Sequence, residues 1–199
     1  MRSHSERGFS LIEMLIVIVI MMVIIAIGFL SIGPGLRAAR VSNGYNITLS
    51  AIRQARDFAI AQRQQYSVTF SNAAVPNTIT ITQTGNGHVV ATYPLPTDVN
   101  FTILPGMPTA ANAVPDGFGL GALAIDFDQN IAGGVKNMIF FMPDGTAQDV
   151  NGNINNGVIY ISMLNQLYSS RAITVWGATG RLRGWRLYNK GAGNYWRQS

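Results

Sequence analysis

Cysteine is missing from all 199 residues, which excludes disulfides, thiolate zinc sites and thiol catalysis while leaving the compartment open. Histidine is nearly missing too: His4 and His88 stand alone, with no nucleophile or metal-ligating partner close by in sequence. A catalytic triad or a histidine-rich metal centre has nothing to build on here. The chain is therefore read as a non-enzyme with no cofactor and no small-molecule substrate.

Acid is the next scarcity. Between Val150 and Ser199 there is no Asp or Glu, against six bases: Arg171, Arg181, Arg183, Arg186, Lys190 and Arg197. Between Ser71 and Asp149 the balance reverses, with Asp98, Asp116, Asp126, Asp128, Asp144 and Asp149 against Lys136. Two oxygen-rich runs, Asp126-x-Asp128-x-Asn130 and Asp149-x-Asn151-x-Asn153-x-Asn155, invite a test for calcium. An EF-hand loop needs Gly at its sixth position and Glu at its twelfth. Ile131 and Asn137 stand there in the first run, Ile154 and Tyr160 in the second, so turn chemistry is the better reading and no metal site is assigned.

What the chain does have is one long apolar run. From Phe9 to Leu30 there are 22 residues with a single acid, Glu13. At about 1.5 Å of rise per residue a helix of that length covers about 33 Å, enough for a hydrocarbon core of about 30 Å. An ordinary secretory signal has a shorter apolar core, of about 7 to 15 residues, and ends in a small-residue cleavage site. Arg2 and Arg7 before the run balance Arg37 and Arg40 after it, so flanking charge sets no orientation. An ionised Glu13 at depth costs about 2.5 to 3.5 kcal/mol, which calls either for headgroup water at the membrane edge or for a partner.

Beyond the run, Ser31-Ile32-Gly33-Pro34-Gly35 predicts a broken or loosened helix, and Ser42-Asn43-Gly44 a second falter. Helical spacing returns from Asn46 to about Gln65, with Leu49, Ile52, Ala55 and Ala59 on one face as core and Arg53, Arg56 and Arg63 as a solvated face or partners of Asp57. The period then becomes two. Strands are predicted at Tyr66–Phe70, Thr78–Thr84, His88–Tyr93, Ala124–Asp128, Asn137–Met142, Thr146–Val150, Val158–Met163, Ala172–Trp176 and Arg181–Tyr188. Five prolines between Pro94 and Gly121 predict a long surface loop, and Gly191–Ser199 a mobile tail. The fold class is α+β, a long helix with a membrane half and an amphipathic half packed on antiparallel β-sheet.

The N-terminus carries a resemblance. Met1 to Gly8 followed by Phe9-Ser10-Leu11-Ile12-Glu13 looks like a type IV prepilin leader and mature start. Leu49-Ser50-Ala51-Ile52-Arg53-Gln54-Ala55-Arg56-Asp57-Phe58-Ala59-Ile60, Tyr66-Ser67-Val68-Thr69-Phe70, Phe140-Phe141-Met142-Pro143-Asp144-Gly145, Ile173-Thr174-Val175 and Thr179-Gly180-Arg181 resemble the GspH/FimT family of minor pilins and pseudopilins. The resemblance implies a type IV pilin-like fold and cleavage between Gly8 and Phe9 by prepilin peptidase, with N-methylation of Phe9. It also implies assembly with other pilins, Glu13 pairing with a neighbour's Phe9 amine. The parts would be a leader over 1–8, an assembly helix and hinge over 9–35, a periplasmic domain over 36–190 and a tail over 191–199. The chain would sit in the bacterial inner membrane, then in a type II secretion pseudopilus or a type IV pilus.

The basic C-terminal quarter adds a second function class. On a regular strand Arg181, Arg183 and Trp185 share one face, and Leu182 and Arg186 the other, unless Gly184 bulges. Arginines beside an aromatic ring suit a nucleic acid. Gly180-Arg181-Leu182-Arg183 also looks like the Gly-Arg-x-Arg motif of DNA-binding FimT members, which makes DNA a candidate partner for Arg181, Arg183, Trp185 and Arg186. The same pattern equally describes a sheet edge kept soluble by arginine, with the acidic half as an intramolecular or subunit partner.

Overall fold

The computed structural model describes residues 10–119, 123–127, 136–191 and 193–199. The chain falls into two compact units, Met1–Leu36 and Arg37–Ser199, and one helix, α1 (Leu11–Gln62), has residues in both. In the first unit Leu11–Gly28 is long and apolar enough to cross a membrane, and none of it is buried. The interruptions expected at Gly33-Pro34-Gly35 and at Ser42-Asn43-Gly44 are absent from α1. A proline removes one donor from the ladder, a cost the bonds on either side can outweigh. Gly44 has a packing reason of its own, because a Cβ there would stand 2.8 Å from Val99 Cγ1.

The second unit holds the antiparallel sheets that the period-two pattern predicts. Among the described residues the strands are β1 (Tyr66–Ser71), β2 (Thr78–Gln83), β3 (His88–Pro94), β4 (Val99–Asn100), β5 (Ile125–Asp126), β6 (Met138–Phe141), β7 (Ala147–Gln148), β8 (Gly157–Met163), β9 (Arg171–Trp176), β10 (Arg181–Asn189) and β11 (Asn194–Gln198). They form two sheets, ordered β3-β2-β1-β6-β7 and β11-β10-β9-β8-β4, with β5 also on β8. The last strand corrects the expected mobile tail. Lys190 N–H bonds the Gly193 carbonyl to close a turn, and Tyr188↔Tyr195 and Leu187↔Trp196 pair across the hairpin, so an aromatic and an apolar couple hold the terminus on the sheet.

Two apolar clusters follow from these faces. In the first, Val41, Ile52, Ala55 and Ala59 of α1 pack with Val68 and Phe70 of β1 and Ile159, Ile161, Ile173 and Val175 of β8 and β9. Alanines at the helix contact let the backbone approach closely, while Leu49, expected in this stripe, is only partly buried. In the second, Val158, Tyr160, Ala172, Leu187 and Trp196 on the other face of the second sheet are covered by Leu104, Met107 and Phe118. The proline-rich segment is thus a strap over that sheet. Asn77 holds its start, accepting the Phe101 N–H on its side-chain oxygen at 2.7 Å.

Candidate assembly and anion-binding sites

The assembly site begins at the start of α1. The N–H groups of Glu13 and Met14 donate to the Ser10 carbonyl at 3.0 and 3.2 Å, which places Glu13 in the first helical turn, where a negative charge is favoured by the helix dipole. Its neighbours Leu11, Ile12, Met14 and Leu15 are all exposed. Gly8 and Phe9, the expected cleavage and methylation positions, lie outside the described residues.

The four candidate nucleic-acid residues lie on β10, and the structure divides them. The β9–β10 register runs from Arg181↔Trp176 to Arg186↔Arg171 without a shift, so Gly184 makes no bulge there and alternation holds. Arg183 and Trp185 face the strap; Arg186 faces the side of α1.

On the strap side Arg183 Nη1 donates to Asp116 Oδ1 at 2.6 Å. Thr174 Oγ1 and Trp176 Nε1 donate to Asp116 Oδ2 at 2.5 and 3.0 Å, and Trp185 Nε1 donates to Thr174 Oγ1 at 3.1 Å. The Arg183 guanidinium also lies 5.0 Å from the Trp176 ring centroid, and Phe118 meets that ring edge-on. Asp116 reaches this position from a 3-10 turn (Pro115–Gly117) at φ 54°, and its side chain is 5% exposed. Sequence reading missed Asp116 because a loop aspartate looks like ordinary turn chemistry; the signal was its position directly after Pro115, among the apolar and small residues of a proline-rich segment.

Arg181 meets different company. It is exposed, and with Arg53, Arg56, Asp57, Thr179, Gly180 and Leu182 it lines a cleft of about 300 Å³. Arg56 was expected on a solvated face or paired with Asp57. Instead its Nε donates to the Gly145 carbonyl at 3.2 Å and its Nη2 to the Thr179 carbonyl at 3.1 Å, tying two turns to the helix. Gly180 has φ 60°, and a Cβ there would collide with the Gly145 carbonyl oxygen. The Pro143-Asp144-Gly145 turn is fixed from within, Asp144 Oδ1 accepting from Thr146 Oγ1 and N–H at 2.7 and 2.8 Å. Those bonds, the hydroxyl's first, hold the Asp144 carboxyl below its usual range.

On the other face Arg186 stands directly opposite Arg171 of β9 and Arg197 of β11, making a row of three arginines across three strands. Arg171 Nη2 donates to Ser42 Oγ at 3.3 Å and its guanidinium lies over the Tyr45 ring; Arg186 lies over Tyr188, which stacks on Tyr195. Burial, and next the charge of Arg186, push the Arg171 guanidinium below its ordinary value.

The second oxygen-rich run behaves as a turn, whereas Asp126, the one described acid of the first, belongs to β5. Asp149 Oδ1 accepts the N–H groups of Asn151 and Asn153 at 2.9 and 2.8 Å, which commits that carboxylate to its own loop. Asp126 is buried beside Tyr160, and Asp128 and Asn130 lie outside the described residues.

Residues 3–29 match the family described as the prokaryotic N-terminal methylation motif. No curated protein and no solved structure matches the chain. The motif, with an apolar helix and a domain of helix on antiparallel sheets, supports a type IV pilin-like or pseudopilin subunit. Membrane anchoring through that helix and incorporation into a pilus are consistent with it.

Proposed function

We propose that the chain is a minor pilin or pseudopilin, a structural subunit rather than an enzyme, of the GspH/FimT kind. Prepilin peptidase cuts between Gly8 and Phe9, Phe9 is N-methylated, and the domain stands on the periplasmic side of the inner membrane. The apolar face of Leu11–Gly28 then leaves lipid and packs on the helices of other subunits in a type II secretion pseudopilus or type IV pilus. The observation that carries this reading is the single acid in the first turn of a fully exposed apolar helix. In an assembled bundle an unpaired carboxylate is strongly penalised, and a neighbour's Phe9 amine removes the penalty. Glu13→Ala is expected to insert in the membrane as the native chain does and to be lost from the filament or tip complex, scored by shearing filaments from cells and blotting both fractions. Normal incorporation would count against the charge pair.

A second reading, DNA capture at the same scaffold, is supported by the cleft where Arg181 meets Arg53 and Arg56. Its test is a salt series of DNA binding: log K should fall with log salt by about 0.9 per phosphate neutralised for duplex DNA. Arg181→Ala should flatten the slope by about one phosphate's worth. Absence of binding at low salt ends this reading.

A further inference from the structure

Three arginines directly opposite one another is an arrangement sheets ordinarily avoid, since facing like charges destabilise a cross-strand pair. Arg171, Arg186 and Arg197 nonetheless form such a row, about 10 Å long at the usual strand spacing of about 4.8 Å. Among the described residues none of the three has a salt bridge, and the Nε groups of Arg171 and Arg186 are buried without a hydrogen-bond partner. Strands β8 to β11 contain no acid that could neutralise them.

The acids elsewhere in the domain are largely committed. Asp98 is paired with Arg40, Asp116 with Arg183, Asp149 is spent on its turn and Asp126 is buried. Asp57 and Asp144 remain as exposed carboxylates among the described residues, so a second copy of the domain offers little to meet the row. The row therefore calls for an anion from outside the chain.

Its surroundings indicate which. The row lies at the end of the second sheet where Arg171 touches Ser42 and Tyr45, the beginning of the domain's helix. The same end carries the β10–β11 turn with exposed Lys190, and the β8–β9 connection, tied in by the Leu187 N–H to the Ser170 carbonyl. That connection exposes Leu164 at 72% and Tyr168 at 53%, and Tyr195 is exposed beside the row. Cations that share one end of a sheet with exposed apolar and aromatic side chains, here Leu164 and Tyr168 beside Leu104 and Pro105 of the strap, match a membrane surface better than a fully solvated strand, because tyrosine and leucine gain by entering the headgroup layer while guanidinium meets phosphate. Chain connectivity keeps that layer within reach. Only eight residues of α1 lie between Gly28 and Arg37, so the chain can hold the two no more than about 30 Å apart.

We propose that this end of the domain is a membrane-docking face, with Arg171, Arg186, Arg197 and Lys190 binding the phosphates of anionic phospholipids and Leu164, Tyr168 and Tyr195 entering the headgroup layer. The proposal rests on the membrane-anchored reading above. Docking holds this end of the domain on the bilayer before assembly, and extraction into a filament must break it.

The test is amide hydrogen exchange of the full chain in nanodiscs of phosphatidylcholine alone or with phosphatidylglycerol. Residues 163–171 and 186–198 are expected to exchange more slowly in the anionic discs, by about fivefold per base engaged, equivalent to about 1 kcal/mol each. Raising the salt should remove the difference. The triple change Arg171→Gln, Arg186→Gln, Arg197→Gln should abolish it and the three lysine changes restore it, with exchange in β1 and β2 unaltered as a check on folding. Equal exchange in the two kinds of disc overturns the proposal, as does protection by a single-stranded oligonucleotide in phosphatidylcholine discs that phosphatidylglycerol fails to give. A chain that fails to enter either disc refutes the membrane reading itself.

Discussion

Arg183 and Asp116, 67 residues apart, form an ion pair of 2.6 Å that fastens the proline-rich strap to β10. The aspartate is nearly buried and also receives the Thr174 hydroxyl and the Trp176 indole, so its removal strands three donors at once. Breaking a buried pair costs about 3 to 5 kcal/mol, and partial exposure of Arg183 lowers this to about 2 to 3. Asp116→Ala should lower the urea midpoint accordingly, with redder tryptophan emission as Trp176 meets water. Asp116→Asn keeps an acceptor and should lose less. A midpoint equal to the native one in both would mean the pair does not anchor the strap.

The same pair bears on nucleic-acid binding. Arg183→Ala should reduce stability as well as any affinity, because it leaves Asp116 buried and uncompensated, whereas exposed Arg181→Ala should leave the urea midpoint within about 0.5 kcal/mol of native. Comparing both variants by denaturation before any binding assay separates the two effects.

Arg56 and Gly180 make a separate prediction. Charged donors to carbonyls contribute about 1.5 to 3 kcal/mol each when made well, so Arg56→Ala should cost about 2 to 4 kcal/mol and quicken amide exchange in both turns it holds. Gly180→Ala should cost at least as much, since it combines a left-handed φ with a collision against the Gly145 carbonyl. Faster exchange confined to one turn would show that they are not jointly held.

Tyr160 sets an alkaline limit. Burial, and next the nearby Asp126, push its phenol well above the ordinary value, and its hydroxyl has no partner among the described residues. Because the folded value is raised, the unfolded chain ionises first; this contribution to stability is complete below about pH 10 and is lost as pH climbs toward the folded value. Tyr160→Phe should be neutral or slightly stabilising near neutrality and should lose less stability than the native chain between about pH 9 and about pH 11. Identical losses in the two proteins would contradict this account.

Much of the architecture was legible because local signals and tertiary demands agreed. Ile52, Ala55 and Ala59 lie on the buried helix face that their spacing predicts, and the alternation of β10 survives through Gly184. The helix through Gly33-Pro34-Gly35 and Gly44 was not legible, because breaker residues count locally whereas Gly44 is there to admit Val99. Nor was β11 readable, since Gly191 and Gly193 look like fraying until Trp196 is seen in the second cluster. The candidate site was half legible. Composition marked the basic quarter and alternation put Arg183 and Arg186 on opposite faces, but only the tertiary structure engages Arg183 with Asp116 and aligns Arg186 with Arg171 and Arg197. The functions of a pairing register cannot be read before the partners are known.

The strap has a last consequence, in the order of events under force or heat. The cluster around Tyr160 and Leu187 is covered by Leu104, Met107 and Phe118, whereas the cluster around Ile52 and Val68 is closed by a helix and two sheets. Peeling residues 104–118 uncovers the former while Leu95, Val99 and Phe101 keep the start of the strap in the latter, giving a partly open species cheaper than global unfolding. Proteases should find the strap first, and a nicked domain that keeps its helix and first sheet intact is the expected product.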